Sequence, residues 1–203
     1  MKTLISEEYR KLNAELHGRN KKYGGKGDAW TDRVLDYMRD EGLPPGSYLD
    51  YGCGKGNLLR EIEDRTRSKG PASECISCAG YDPVTMPKLP EPVDFLTCND
   101  VLEHIEPDLL DNVLEHIASL IKKRGLLVIS QRLANKRLAD GRNAHLIVKP
   151  TDWWVKRLAV HFREIIEVEP IKPKRVGVEL AVLVRPLREP TSTLPTHVEL
   201  IKR

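Results

Sequence analysis

The chain has 203 residues, with 33 Lys and Arg against 30 Asp and Glu, a formal net charge of +3. Hydrophobic residues make up 40% and aromatics only 5%, so one globular domain with a mainly aliphatic core is expected. These totals argue against a clustered polybasic nucleic-acid face, and no apolar run approaches the roughly 18 residues of a spanning helix, so a membrane segment is not expected.

In chain order, Tyr9, Leu12 and Leu16 recur at helical spacing behind Ser6, a suitable cap. The opening MKTLISEEYRK lacks the apolar centre of a secretory leader, which predicts a cytoplasmic protein. Glycines 24, 25 and 27 mark a loop. A second helix carries Trp30, Val34, Leu35 and Met38 on one face and stops at Gly42. Residues 1–44 are therefore expected to form helices that cover the pocket of a core spanning 45–187, with 188–203 a loose tail.

Within that core, Ser47–Tyr51 predicts a strand, and Leu58, Leu59 and Ile62 predict the helix after it. Ile76–Tyr81 and Val93–Cys98 predict the next two strands, separated by a proline-rich stretch from Pro83 to Pro92. Pro107 suits a first helical turn, with Leu110, Val113, Leu114, Ile117 and Ile121 as its buried stripe. Gly125–Ser130 is almost wholly apolar, as expected of a strand covered on both faces of a parallel sheet. A polar loop over 132–143, a helix over 150–162 and strands over 164–168 and 178–184 complete the pattern. Alternating strands and helices predict an α/β fold. Cys75 and Cys78 form a single CxxC with no second pair or histidines at ligand spacing, so no metal is expected.

The main chemical signal is Asp50-Tyr51-Gly52-Cys53-Gly54-Lys55-Gly56, a glycine turn between a strand and a helix. In an open α/β sheet, ligands bind beyond the carboxyl ends of the strands. The GxGxxG dinucleotide spacing fails at Asn57, and no GK[ST] phosphate loop is present.

LDYGCGKGN at 49–57, GYDP at 80–83, FLTCNDVLEHIEP at 95–107 and RGLLVISQ at 124–131 together resemble the class I S-adenosylmethionine-dependent methyltransferases, in the right order. The resemblance implies a Rossmann-like sheet with helices on both faces and the last strand antiparallel. It implies S-adenosylmethionine as cofactor, held by Asp50, Gly52, Cys53, Gly54, Asp82, Pro83, Asn99, Asp100 and Val101. Asp50 would meet the donor's ammonium and Asp82 its two ribose hydroxyls, since a carboxylate can accept both. Each has a plainer alternative: Asp50 and Asp82 as turn formers, Asp100 as a helix cap, His104 as a ring bonded to backbone.

One departure from the family is visible. The ten residues from Pro83 to Pro92 are too few for the usual helix, third strand and helix. The outer third-strand unit is therefore expected to be missing, leaving about six strands. The usual acidic partner for the adenine amine has no counterpart, which shifts that contact to backbone around Met86 to Leu89.

Methyl transfer is an in-line displacement that needs alignment and, for some acceptors, proton removal. His145 is the first choice of base, with His104 beside the donor motif, and His17, Tyr23, Arg132 and Asn143 as further acceptor-side residues. Of the adjacent Trp153 and Trp154, one is expected in the core. The compact domain has no added recognition module, so a small-molecule acceptor is expected. Nucleic acid is the alternative, although the Asn/Asp-Pro-Pro-aromatic motif of many amino-directed DNA enzymes is absent; a non-catalytic donor-binding module is the third.

Overall fold

Along the central strands, successive side chains enter opposite cores: Tyr48, Phe95 and Leu126 pack on one side of the sheet, Leu49, Leu96 and Leu127 on the other. Alternation of direction with burial on both faces is why these strands read as continuous apolar runs. The computed structural model describes residues 2–20, 23–25, 27–43, 46–67, 76–170, 178–187 and 200–202. Its elements are α1 (Glu7–Arg19), α2 (Thr31–Asp40), β1 (Gly46–Tyr51), α3 (Asn57–Arg67), β2 (Ile76–Tyr81), β3 (Val93–Asn99), α4 (Leu110–Leu120), β4 (Ile121–Ser130), α5 (Thr151–Leu158), β5 (Phe162–Val168), β6 (Glu179–Pro186) and β7 (Leu200–Lys202).

The sheet order is β2-β1-β3-β4-β6-β5-β7. Strands β1 to β4 run parallel, and β6 is antiparallel to both β4 and β5. The six expected strands are present, and the outer third-strand unit is missing. In its place Asp82 and Met86 exchange two backbone hydrogen bonds of 3.0 Å, and the chain then runs irregularly to Val93. This leaves β2 at the edge, where its burial drops to alternate residues. The tail departs from expectation: Leu200–Lys202 adds a seventh strand, parallel to β5. Strand β4 also starts earlier than its apolar run, because α4 passes directly into it at Ile121. Among the described residues, no helix is long and apolar enough to cross a membrane.

The two cores have distinct covers. Helices α4 and α5 pack Leu114, Ile117, Trp154 and Leu158 on one face, while α2 and α3 pack Val34, Met38, Leu58 and Ile62 on the other. A third cluster joins α1 to the loop after β4 through Tyr9, Leu16, Leu138 and Ala144.

At the end of the sheet away from the glycine turn, Arg124 of β4 is buried between two carboxylates. Its Nε lies 2.7 Å from Glu41 and its Nη1 3.0 Å from Glu164, and Arg185 reaches the same pair. Truncating one partner of a buried ion cluster leaves a charge uncompensated. Glu41→Ala is expected to cost about 2 kcal/mol, less than a fully broken pair because Glu164 remains, as read by urea denaturation.

Candidate active site

The carboxyl ends of β1 to β4 open on one cavity of about 320 Å³, at the point where the chain turns from β1 outward to β2 and back to β3. Such switch points form crevices because the two connections leave on opposite sides of the sheet. Asp50, Gly52, Cys53, Gly54, Asp82, Pro83, Asn99, Asp100 and Val101 all line this cavity, with His104 and His145.

The turn after β1 is held by its backbone. Gly52 has φ 74°, and the amides of Gly52 and Cys53 both donate to the Tyr81 carbonyl at 2.7 and 3.1 Å, tying the tips of β1 and β2 together. A Cβ on Gly52 would lie 2.3 Å from Val101 Cγ2, so only glycine fits there. The loop at Gly24 crosses over the turn: the Lys55 amide donates to the Gly24 carbonyl at 2.9 Å, and Asn57 Nδ2 to the Gly25 carbonyl at 2.9 Å.

The two carboxylates differ in setting. Asp50 is 5% exposed and accepts one bond, from Thr97 Oγ1 at 3.2 Å; burial pushes its pKa up to about 7. Asp82 is tied into its own turn. Its Oδ1 accepts from the Val84 and Thr85 amides at 2.9 Å each, and its Oδ2 takes a longer bond from the Gly54 amide at 3.3 Å. A carboxylate has about four lone-pair sites, so Oδ2 retains capacity toward the cavity. Asp82 is thus a turn former that also faces the pocket. The Cys53 thiol is pushed up by burial and sits 3.4 Å from Met86 Sδ, which makes it packing rather than a nucleophile.

Opposite the glycine turn, the wall is made by α1, the ends of β3 and β4 and the loops that follow them. Several of its polar atoms are unused: Tyr9 Oη, Asn13 Oδ1, His17 Nδ1, both side-chain polar atoms of Asn99 and Ser130 Oγ are buried without a hydrogen-bond partner. His104 Nδ1 lies 2.7 Å from the Ala144 carbonyl and His145 Nδ1 2.6 Å from the Arg132 carbonyl. A carbonyl can only accept, so both rings carry their proton on Nδ1 and present a lone pair on Nε2. Burial lowers both, His104 to about 3.

A protein-family model described as a methyltransferase domain matches residues 21–165. The chain belongs to that methyltransferase family. Among curated proteins, no match is found. Solved structures show the same fold at low identity. The 1,6-didemethyltoxoflavin-N1-methyltransferase of Burkholderia thailandensis, with bound 1,6-didemethyltoxoflavin and S-adenosylhomocysteine, is 15% identical with a TM-score of 0.57, covering 92% of each chain. Magnesium protoporphyrin IX methyltransferase of Synechocystis PCC 6803, with bound SAM, is 17% identical with a TM-score of 0.56, covering 90% of this chain and 100% of that one. The DhpI–SAH complex is 15% identical with a TM-score of 0.58, covering 90% and 98%.

Some residues singled out in the methyltransferase sequence lie elsewhere. Asn143 bridges the loop after β4, accepting from the Ala134 and His145 amides and donating to the Ala134 carbonyl. It positions His145 rather than lining the cavity. Trp154 is fully buried in the core and Trp153 packs against its margin. Met86 lies beneath the glycine turn against Gly56 and Gly80, and the segment 86–89 does not line the cavity. Of the CxxC, Cys78 is a free thiol half-buried in β2, and Cys75 lies outside the described residues.

Two residues were missed. Tyr9 reads as part of an apolar helical stripe, yet its hydroxyl ends at the cavity; a tyrosine's polar tip was the available signal. Glu103 was not singled out, yet it is 0% exposed, and burial followed by the nearby Asp100 charge raises its pKa well above the usual carboxylate range.

Proposed function

We propose that this methyltransferase uses S-adenosylmethionine and methylates a polar small molecule, in the cytoplasm. The observation that carries the proposal is the division of one cavity into two halves. One half is backbone and carboxylates at the tips of β1 and β2; the other is unpartnered polar side chains on α1 and at the ends of β3 and β4. The same likeness in fold to enzymes bound to SAM or S-adenosylhomocysteine supports the cofactor, and their low-molecular-weight acceptors support the acceptor class.

The residues fit the donor. Gly52 and Gly54 bring backbone where side chains would intrude, Asp50 offers a carboxylate to an ammonium, and Asp82 Oδ2 offers one to ribose hydroxyls. When bound, the sulfonium supplies an activated methyl group. Asn99, with both amide atoms free, and the loop at Asp100 and Val101 would flank the donor on the β3 side. Residues 1–44 would act as the cover, since α1 and the loop at Gly24 close the cavity over both halves. His104, at about 3, is too weakly basic to hold a proton at neutral pH, which leaves His145 as the proton acceptor among these side chains.

Asp82→Ala is expected to weaken donor affinity by about 2–3 kcal/mol, measured by calorimetric titration with S-adenosylhomocysteine. Asp82→Asn separates the two roles. Its Oδ1 can still accept from Val84 and Thr85, while an amide nitrogen replaces the Oδ2 acceptor. An affinity unchanged in both variants would remove Asp82 from the site.

A further inference from the structure

Glu103 presents a physical problem that the methyl-transfer reading does not solve. Its side chain is 0% exposed; Oε1 accepts from the Ser130 amide at 3.1 Å, and Oε2 has no partner. A buried acid with an unpartnered oxygen is retained where it is paired, kept neutral or bound to a cation. No Lys or Arg pairs with Glu103 among the described residues. The nearest titratable partner is His145 Nε2, 3.9 Å from Oε1 and beyond hydrogen-bond reach.

The surroundings supply what a cation would need. One oxygen of Glu103, one nitrogen of His104 and one of His145 lie within 4.8 Å of one another. The two rings stand 4.7 Å apart between centroids and nearly perpendicular, at 87°. Each donates Nδ1–H to a backbone carbonyl, Ala144 for one and Arg132 for the other. That second bond is the usual way a protein fixes the tautomer and aims the Nε2 lone pair of a ligating histidine. Two ligand atoms at about 2.1 Å from one ion are separated by about 3.5 Å, so the 3.9 Å pair closes with a shift of a few tenths of an ångström, and the rest of the group, within 4.8 Å, with about one ångström of side-chain movement. Asp100 adds negative charge beside the group, acting on both Glu103 and His145. Its backbone is held at φ 54°, a conformation unusual outside glycine and characteristic of functional loops.

We propose that Glu103, His104 and His145 form a binding site for a divalent first-row transition ion, with Zn²⁺ or Co²⁺ suited to the two-imidazole, one-carboxylate donor set. His104 and His145 also line the cavity, so positions left open on the ion would take an oxygen of the acceptor. In the loaded protein the His145 lone pair is committed to the ion, and His145 is then a ligand instead of a base. This goes beyond the metal-free expectation drawn from the sequence, which looked for ligands only around the CxxC. The two histidines lie forty-one positions apart in sequence and meet only in the fold.

The test is a titration of chelator-treated full-length protein with Co²⁺, read by visible absorption, followed by displacement with Zn²⁺. Saturable binding of one Co²⁺ per chain is expected. His145→Ala and Glu103→Gln are each expected to weaken it at least tenfold, with circular dichroism checking that both fold. His161→Ala, beside Asp111 and outside the cavity lining, serves as a control and should bind as the parent does. Absence of Co²⁺ binding by the parent protein overturns the site. So does binding that His145→Ala leaves unchanged, since that side chain is replaceable even if Glu103→Gln fails to fold. The titration uses no methyl donor, so its failure would leave the methyl-transfer proposal standing.

Discussion

Asp50→Asn is expected to make the unliganded methyltransferase more stable above neutral pH while greatly weakening its hold on the donor. Burial raises the Asp50 pKa from 3.8 to about 7. The sign follows from linkage. A group whose folded-state pKa is raised favours folding fully below its unfolded pKa, and that contribution falls as pH rises from about 3.8 to about 7. The forfeited stability is about 4 kcal/mol, the cost of holding this carboxylate ionised in the fold. Asparagine carries no charge and keeps an oxygen for the Thr97 hydroxyl, so at pH 8 the variant should gain about 2–4 kcal/mol in urea denaturation. Toward the donor the effect reverses, because an ammonium loses its carboxylate. Affinity should fall about 100-fold, or roughly 3 kcal/mol. A variant no more stable than the parent at pH 8 would show that the buried carboxylate is not strained, and undiminished donor affinity would show that it does not face the ammonium.

The second large effect is expected from Gly54→Ala. Gly54 adopts φ 51°, and a Cβ there would meet the Gly24 carbonyl oxygen at 2.5 Å and Gly24 Cα at 2.8 Å. The obstruction is backbone, which cannot rotate aside as a long side chain can. Gly24 is itself at φ 69°, in a turn packed beside the His17 ring, so its movement would disturb that contact too. The left-handed conformation costs an alanine about 1–2 kcal/mol, and displacing the crossing loop breaks the bond from Lys55 to Gly24 as well. Together the variant should lose about 3 kcal/mol, divided between a lower melting temperature and weaker donor binding. Faster hydrogen exchange at the Lys55 amide would locate the damage. Parent-like melting, donor affinity and exchange would mean that the two loops do not bear on each other.

What the sequence determined by itself is the part encoded locally. Apolar runs with glycine and proline punctuation mark β1 to β4 because strands buried on both faces need no polar alternation, and the glycine turn after Asp50 declares a close backbone approach. The short interval from Pro83 to Pro92 is enough to exclude a third-strand unit on length alone. The tertiary structure decided everything that depends on distant residues meeting. It turned Leu200–Lys202 into a strand, because pairing with β5 supplies hydrogen bonds that no local period predicts. It brought the loop at Gly24 across Gly54, and it buried Glu103 beside a histidine from a loop forty-two residues away. A charged residue in a sequence carries no mark of its burial; only the packing of β4 and the loop after it removes Glu103 from water.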